Sequence, residues 1–236
     1  CSNIDEDERF IEVEPVEVAK RVLIEDFTGQ RCINCPKASE VIENLQKEYG
    51  ADNVIAVAIH SGPYSKDFMG NPLSLWTETG DYYFEPWYTG SQPVGVFDRK
   101  TSSSTYTSWG TIVREALQTS ASLELSATTE YDDNTRTVEI NVNANGVYEI
   151  TGKLQIWLIE DSIVDIQQMP DGSINSNYVH NHVFRTAVNG RDGEDFNITW
   201  NEEKTVTNTY VLDESWKPEN MSVVAFVYDD SGVQQV

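Results

Sequence analysis

Positive charge is scarce in this sequence: 16 Lys and Arg stand against 39 Asp and Glu in 236 residues, a formal charge of −23. No cluster of cations occurs along the chain, so a phosphate backbone would meet repulsion everywhere, and nucleic acid is excluded as a partner. Long apolar runs are also missing. None approaches the ~20 residues of a membrane-spanning helix. Catalytic signatures are few: no Ser/His/Asp order, no phosphate-cradling Gly loop and no recognisable carboxylate pair emerges, which leaves hydrolase and kinase readings without support. Internal repeats and low-complexity linkers are lacking too. What is present is apolar substance, 39% hydrophobic and 11% aromatic, too rich for a disordered chain. At a prior of ~100–200 residues per domain, one large or two small domains fit.

Cysteine is rare, and its odd count of three is awkward for a secreted protein. The sequence is numbered from Cys1, followed by Ser2-Asn3-Ile4 and four consecutive acids, Asp5 to Glu8, with Glu12, Glu14 and Glu17 beyond. Such a segment repels itself and reads as an extended tether over residues 1–18. The start resembles that of bacterial lipoproteins, in which processing leaves an acylated first Cys. The acidic stretch behind it resembles the export signal of Bacteroidetes surface lipoproteins. That resemblance implies lipidation at Cys1, a membrane partner reached through lipid, and a place in the outer membrane of the cell envelope, facing the surface or the periplasm. A chain that simply begins at a Cys is the alternative. Setting Cys1 aside leaves Cys32 and Cys35.

Two halves with different grammar follow. In the first, Val22 to Phe27 is a β-rich run, Thr28 to Arg31 a turn, and Pro36 to Tyr49 an amphipathic helix with Ala38, Val41, Ile42, Leu45 and Tyr49 at spacings of three and four. Asn53 to Ile59 is continuously apolar, as in a strand covered on both faces. Strand, helix and strand make a β-α-β unit with a parallel pair. Residues 61–92 are irregular and aromatic, with a short helix expected over Asn71 to Gly80. A strand over Val94 to Phe97 and a helix over Tyr106 to Gln118 close a domain spanning 19–119. From 120 to 236 short alternating segments are separated by turns such as Asp171-Gly172 and Asn189-Gly190. About seven strands without helical period predict an antiparallel β-sandwich of Ig-like type.

Cys32-Ile33-Asn34-Cys35 falls where strand gives way to helix. A thiolate there is stabilised by free N–H groups and the helix dipole, and Arg31 beside it should lower its pKa further. Cys32 is expected to be the exposed attacking thiol and Cys35 the resolving one. These features resemble the thioredoxin superfamily. The resemblance implies a proton-relaying carboxylate at Asp26, six residues before Cys32. It also implies a cis Pro93 in Gln92-Pro93-Val94-Gly95-Val96-Phe97-Asp98, with Gln92, Ile33 and Asn34 meeting the substrate peptide. Arg31 and Ile33-Asn34 depart from the usual motif, and the 61–92 insertion is long. Two other readings stay open: half of a zinc site, for which no second Cys pair exists, and a disulfide that is only structural.

Over both halves the chain resembles the twenty-eight-kilodalton outer-membrane-protein-related lipoproteins of Bacteroidetes, through Val22 to Pro36 and Tyr178-Val-His-Asn-His-Val-Phe-Arg185. That family has been discussed both as adhesin or receptor and as thiol oxidoreductase. Strand alternation places Tyr178, His180, His182 and Phe184 on one face. Two such histidines either order a loop or, with a nearby acid, hold a metal. His60 either faces the Cys site or caps its strand. The fold expected is therefore α/β plus all-β: a thioredoxin-like domain and then the sandwich. The function expected is thiol-disulfide exchange with extracytoplasmic protein or peptide thiols, without cofactor or metal. The alternative is a surface binding lipoprotein on a non-catalytic scaffold.

Overall fold

A computed structural model describes residues 17–236. Cys1 and nearly all of the expected tether lie outside the described residues. The first half alternates strand and helix: β1 (Val18–Ala19), β2 (Val22–Thr28), α1 (Cys35–Tyr49), β3 (Val54–His60), α2 (Glu78–Phe84), β4 (Val94–Phe97), β5 (Thr101–Ser103) and α3 (Trp109–Leu117). Strands dominate the second: β6 (Ser120–Ala121), β7 (Leu123–Asp132), β8 (Thr137–Gly146), β9 (Ile150–Glu160), β10 (Ile163–Gln168) and β11 (Ile174–His180). After them come β12 (Val183–Ala187), β13 (Glu194–Ile198), β14 (Glu203–Val211), β15 (Met221–Asp229) and β16 (Gly232–Gln235).

β2 and β3 are parallel and in register from Val22↔Val54 to Thr28↔His60, with α1 as their crossover. β4 adds antiparallel on the other side of β2, and β5 on β4. The sheet does not stop at the change of grammar near residue 119. β12 pairs parallel with β3 through Val183↔Ala58 and antiparallel with β9. A nine-stranded sheet therefore runs β16-β15-β9-β12-β3-β2-β4-β5, with β13 also on β9. The sandwich is open: its second layer is the three-stranded sheet β14-β8-β7, and its first belongs to the sheet shared with the N-terminal half.

Strand alternation explains how one sheet serves three cores. On β9, Leu154, Ile156 and Leu158 point toward β7 and β8 and join Leu125, Ile140, Val142 and Val227. Trp157 and Ile159 point the opposite way, into a core with Leu23, Phe27, Tyr83, Phe84, Phe184 and Phe226. On β2, Val22 and Ile24 face α1 and α3 and pack with Ile42, Leu45 and Trp109. Strands buried on both faces read as near-continuous apolar runs, which is how β3 and the 223–227 stretch of β15 read, whereas β2 is equally buried but carries Glu25 and Asp26.

The aromatic insertion takes a different form from the one expected. Its helix starts at Glu78 rather than Asn71, because Thr77 caps it, with Oγ1 accepting from Gly80 N at 2.9 Å. Asn71 and Pro72 instead close a loop back on Asp67 and Lys66. Two of its rings are interior: Phe84 stacks on Phe27 at 4.8 Å, and Tyr83 lies 5.2 Å from Trp157, joining first half to second, while Tyr64, Phe68, Tyr82 and Tyr88 are exposed.

Candidate functional site

Cys32 and Cys35 form a disulfide with sulfurs 2.03 Å apart. Cys35 is the first residue of α1, Pro36 follows in the first turn, and Asn34 precedes the helix without a side-chain cap. The inner sulfur thus sits at the uncapped end of a helix, where free N–H groups favour a thiolate. Pro36 suits that position because its missing N–H had no partner to lose. Gly29 lets the loop that follows β2 close: a Cβ there would lie 2.6 Å from the carbonyl carbon of Tyr64, so the 61–66 segment could not pack on the turn.

Cys32 was expected to be exposed, and it is not. It is 2% accessible, beside 1% for Cys35. Its cover comes from far along the sequence. The β10–β11 hairpin folds over the turn, and Gln167 Nε2 donates to the carbonyls of Gly29 (3.2 Å) and Cys32 (3.0 Å). Gln168 N donates to Gln30 O at 2.7 Å. This roof was missed in the sequence; its signals were the β-branched residues of Ile163-Val-Asp-Ile166 and the Asp171-Gly172 turn. Each of these neutral bonds contributes a net ~0.5–1.5 kcal/mol. Replacement Gln167→Ala is therefore expected to speed reduction of the disulfide by dithiothreitol by about tenfold, as read by thiol quenching and mass spectrometry. A parent-like rate would mean that something other than the roof controls access.

Asp26 lies on β2, the strand that leads into the disulfide turn, paired with Ala58 on one side and Gly95 on the other. It is buried, and its Oδ1 has no hydrogen-bond partner. Burial pushes its pKa up from 3.8 to about 7. Across from the end of β2, the Gln92–Pro93 bond is cis. The Gln92 side chain donates to Thr28 O (3.0 Å) and Ser61 O (3.1 Å), tying the strand end to β4.

Arg31 turns away from the pair. Its Nη1 donates to Lys66 O at 2.9 Å and its guanidinium lies 3.6 Å from the centre of the Phe68 ring, so its charge is committed to the 64–68 loop. Phe68 and Met69 at the tip of that loop are 88% and 87% exposed. Ile33 and Asn34 are exposed on the turn itself.

The histidines divide. His180 ends β11 and is buried, its Nε2 3.2 Å from Ile166 O, with His60 at 5.3 Å and Tyr178 at 4.7 Å between ring centroids. The expected shared face is broken at His182, whose φ is 42° and which lies in the bend before β12. Burial lowers the pKa of both. Among the described residues no cluster of three or more His, Cys, Asp or Glu is arranged to hold a metal ion. His60 faces the Cys site: it lines a cavity of about 30 Å³ together with Cys35.

The molecule is thus a mixed α/β protein in which a disulfide opens a helix on a sheet that continues into an open sandwich. The family model of outer membrane protein Omp28 matches residues 81–236, and the chain belongs to that family. Its location is accordingly the cell envelope, at the outer membrane. The match takes in Tyr178 to Arg185 but begins after the Cys-x-x-Cys turn. A search of the curated proteins finds no match. Among solved structures, HBP35 of Porphyromonas gingivalis is similar in fold, with a TM-score of 0.74 and 14% identity, covering 92% of this chain and 74% of that one.

Proposed function

We propose that residues 19–119 form a thioredoxin-like unit and that the protein is an envelope lipoprotein, anchored through Cys1, which exchanges disulfides with extracytoplasmic proteins or peptides through Cys32 and Cys35. The observation that carries this reading is Asp26: a buried carboxyl with an unpartnered oxygen, on the strand that leads into the disulfide turn. A purely structural disulfide has no use for such a group, whereas an inner thiol that must gain and lose a proton does. Its pKa of about 7 makes both protonation states accessible at neutral pH. The cis Gln92–Pro93 segment beside the turn supplies the backbone edge along which a peptide would lie.

A second reading, a binding protein on a non-catalytic scaffold, is favoured by one observation: Cys32 is roofed by the hairpin, while Phe68 and Met69 stand in solvent nearby. The two readings part in a trapping experiment. Cys35→Ser, exposed to an envelope extract, is expected to accumulate adducts through Cys32 that dissolve in dithiothreitol, and the parent pair is expected to equilibrate with a glutathione buffer. An absence of adducts, with a disulfide that ordinary thiols fail to reduce, would leave the binding reading in place.

A further inference from the structure

His60 ends β3 directly beside the end of β2, paired with Thr28, and is 3% exposed. Neither Nδ1 nor Nε2 has a hydrogen-bond partner. An imidazole buried without a protein partner is expensive, and such exceptions call for a function or a water. The small cavity beside it is walled by Cys35, Thr28, Ser39, Gln167, Tyr178 and His180, and Glu43 lies along its rim. Its volume of about 30 Å³ exceeds the roughly 10–15 Å³ that one water requires, and its walls offer several polar partners. Parallel register puts Asp26 on the same face as Thr28 and His60, one pleat repeat deeper.

The groups around the ring are Cys35 and Glu43 from α1, Tyr178 and His180 from β11, His182, and Arg185 from β12, with Asp26 further along the same face of β2. Burial first, then His180 and Arg185, lowers the His60 pKa to about 3, so at neutral pH the ring is uncharged, with one nitrogen donating and the other accepting.

We propose that His60, with water held in this cavity, is a second proton station for the inner sulfur, which carries between Cys35 and solvent the proton that Asp26 holds on the deeper side. The inference rests on the exchange reading above. In the reducing direction, Cys32 Sγ attacks a partner disulfide, forming a mixed disulfide and releasing one partner thiolate. Cys35 then loses its S–H proton through the water to the accepting nitrogen of His60, as the other nitrogen gives its own proton to solvent water at the rim beside Glu43. The Cys35 sulfur bonds to Cys32 Sγ, the bond from Cys32 to the partner breaks, and the second partner thiolate leaves and is protonated by solvent. The partner disulfide gains two electrons and the Cys pair loses two. Oxidation of the pair's substrate runs the same steps in reverse.

The test uses the reduced full-length chain mixed with excess 5,5′-dithiobis(2-nitrobenzoate). One coloured thiolate is released as Cys32 attacks, and a second as Cys35 displaces the adduct. In His60→Phe the ratio of second-phase to first-phase rate is expected to fall about tenfold or more at pH 7, with its pH profile displaced upward. His60→Gln, which keeps a donor and an acceptor, is expected to recover most of it. Two phases in the parent with an unchanged ratio and profile in His60→Phe would overturn the relay alone. A parent that releases no second thiolate would overturn the exchange reading and the relay with it. Should His60→Phe fail to fold, imidazole nitrogen resonances of the parent decide: on reduction of the disulfide, those of His60 are expected to shift and exchange protons with water, and signals that do neither would overturn the proposal.

Discussion

Asp26→Asn is expected to stabilise the protein increasingly as pH rises, and to do so only within a defined window. In the open chain this carboxyl ionises near 3.8; in the fold, burial raises its pKa to about 7. Between those values the folded state holds a proton that the unfolded state has released, so stability falls as pH rises. Below about 4 both states are protonated, and above about 7 both are ionised, so the loss is flat on either side. At about 1.36 kcal/mol per pH unit the window accumulates up to about 4 kcal/mol against the folded parent. Asparagine removes the titration. It introduces a fixed cost of its own, an amide in a site where one oxygen already lacks a partner, but that cost does not vary with pH. The measurement is therefore the difference in unfolding free energy between Asp26→Asn and parent, by urea titration with the disulfide intact, at intervals from pH 4 to pH 8. A difference that grows across this range and levels off near 7 is the expected result. A constant difference would mean that Asp26 is ionised in the fold throughout, and would remove the main support for the exchange reading.

Much of the fold was legible because its signals are local. The 3.6-residue period from Ala38 to Tyr49, the apolar run ending at Ile59 and the change from helix to strand grammar near Ser120 each depend on neighbours a few residues away, and each corresponds to an observed element. The cysteines, Asp26 and cis Pro93 were readable for a different reason, the resemblance of their spacing to that of a known superfamily. What escaped were contacts between distant segments. Nothing in Val183-Phe184 announces that β12 will bridge β3 and β9 and so make one sheet of two halves. Nothing near Cys32 announces a roof from Gln167. The strand expected from Tyr178 through Phe184 failed at a point that alternation cannot see: His182 takes a left-handed conformation, its N–H held by Asp161 Oδ1 at 2.6 Å, and the chain changes sheets there. Composition alone also could not divide the aromatic insertion: Tyr83 and Phe84 enter the core between the halves, whereas Tyr64, Phe68, Tyr82 and Tyr88 are exposed.

That shared core sets the second large effect, at Arg99. The β4–β5 turn places Asp98 and Arg99 in succession at φ of 49° and 53°, a conformation suited to a tight hairpin but uncommon for such residues. The turn is held by Asp98, whose Oδ1 accepts from Leu23 N at 2.9 Å and whose carbonyl accepts from Val233 N at 2.7 Å. Arg99 is thereby aimed at Glu25, 1% exposed on β2, and donates through both Nε and Nη2 at 3.3 and 3.2 Å. The guanidinium also lies 4.9 Å from the Phe226 ring centre and 4.5 Å from that of Tyr228, both on β15. Arg99→Ala leaves the Glu25 charge in the core without its partner and is expected to cost about 3–5 kcal/mol, since removal of one member of a buried pair leaves the other uncompensated. Arg99→Lys should recover only part, because an ammonium cannot reproduce the planar fork or its stacking on the rings. The paired replacement Glu25→Leu with Arg99→Met should recover more than Lys does, because it removes the orphaned charge altogether. Since Arg99 ties β2 through the ion pair to β15 through its ring contacts, in a core common to both halves, each loss should appear as an earlier midpoint of one cooperative transition, measured together by far-ultraviolet dichroism and tryptophan fluorescence. If Arg99→Ala instead split unfolding into two transitions, the halves would be separately stable units, and the continuous sheet would join them without coupling them.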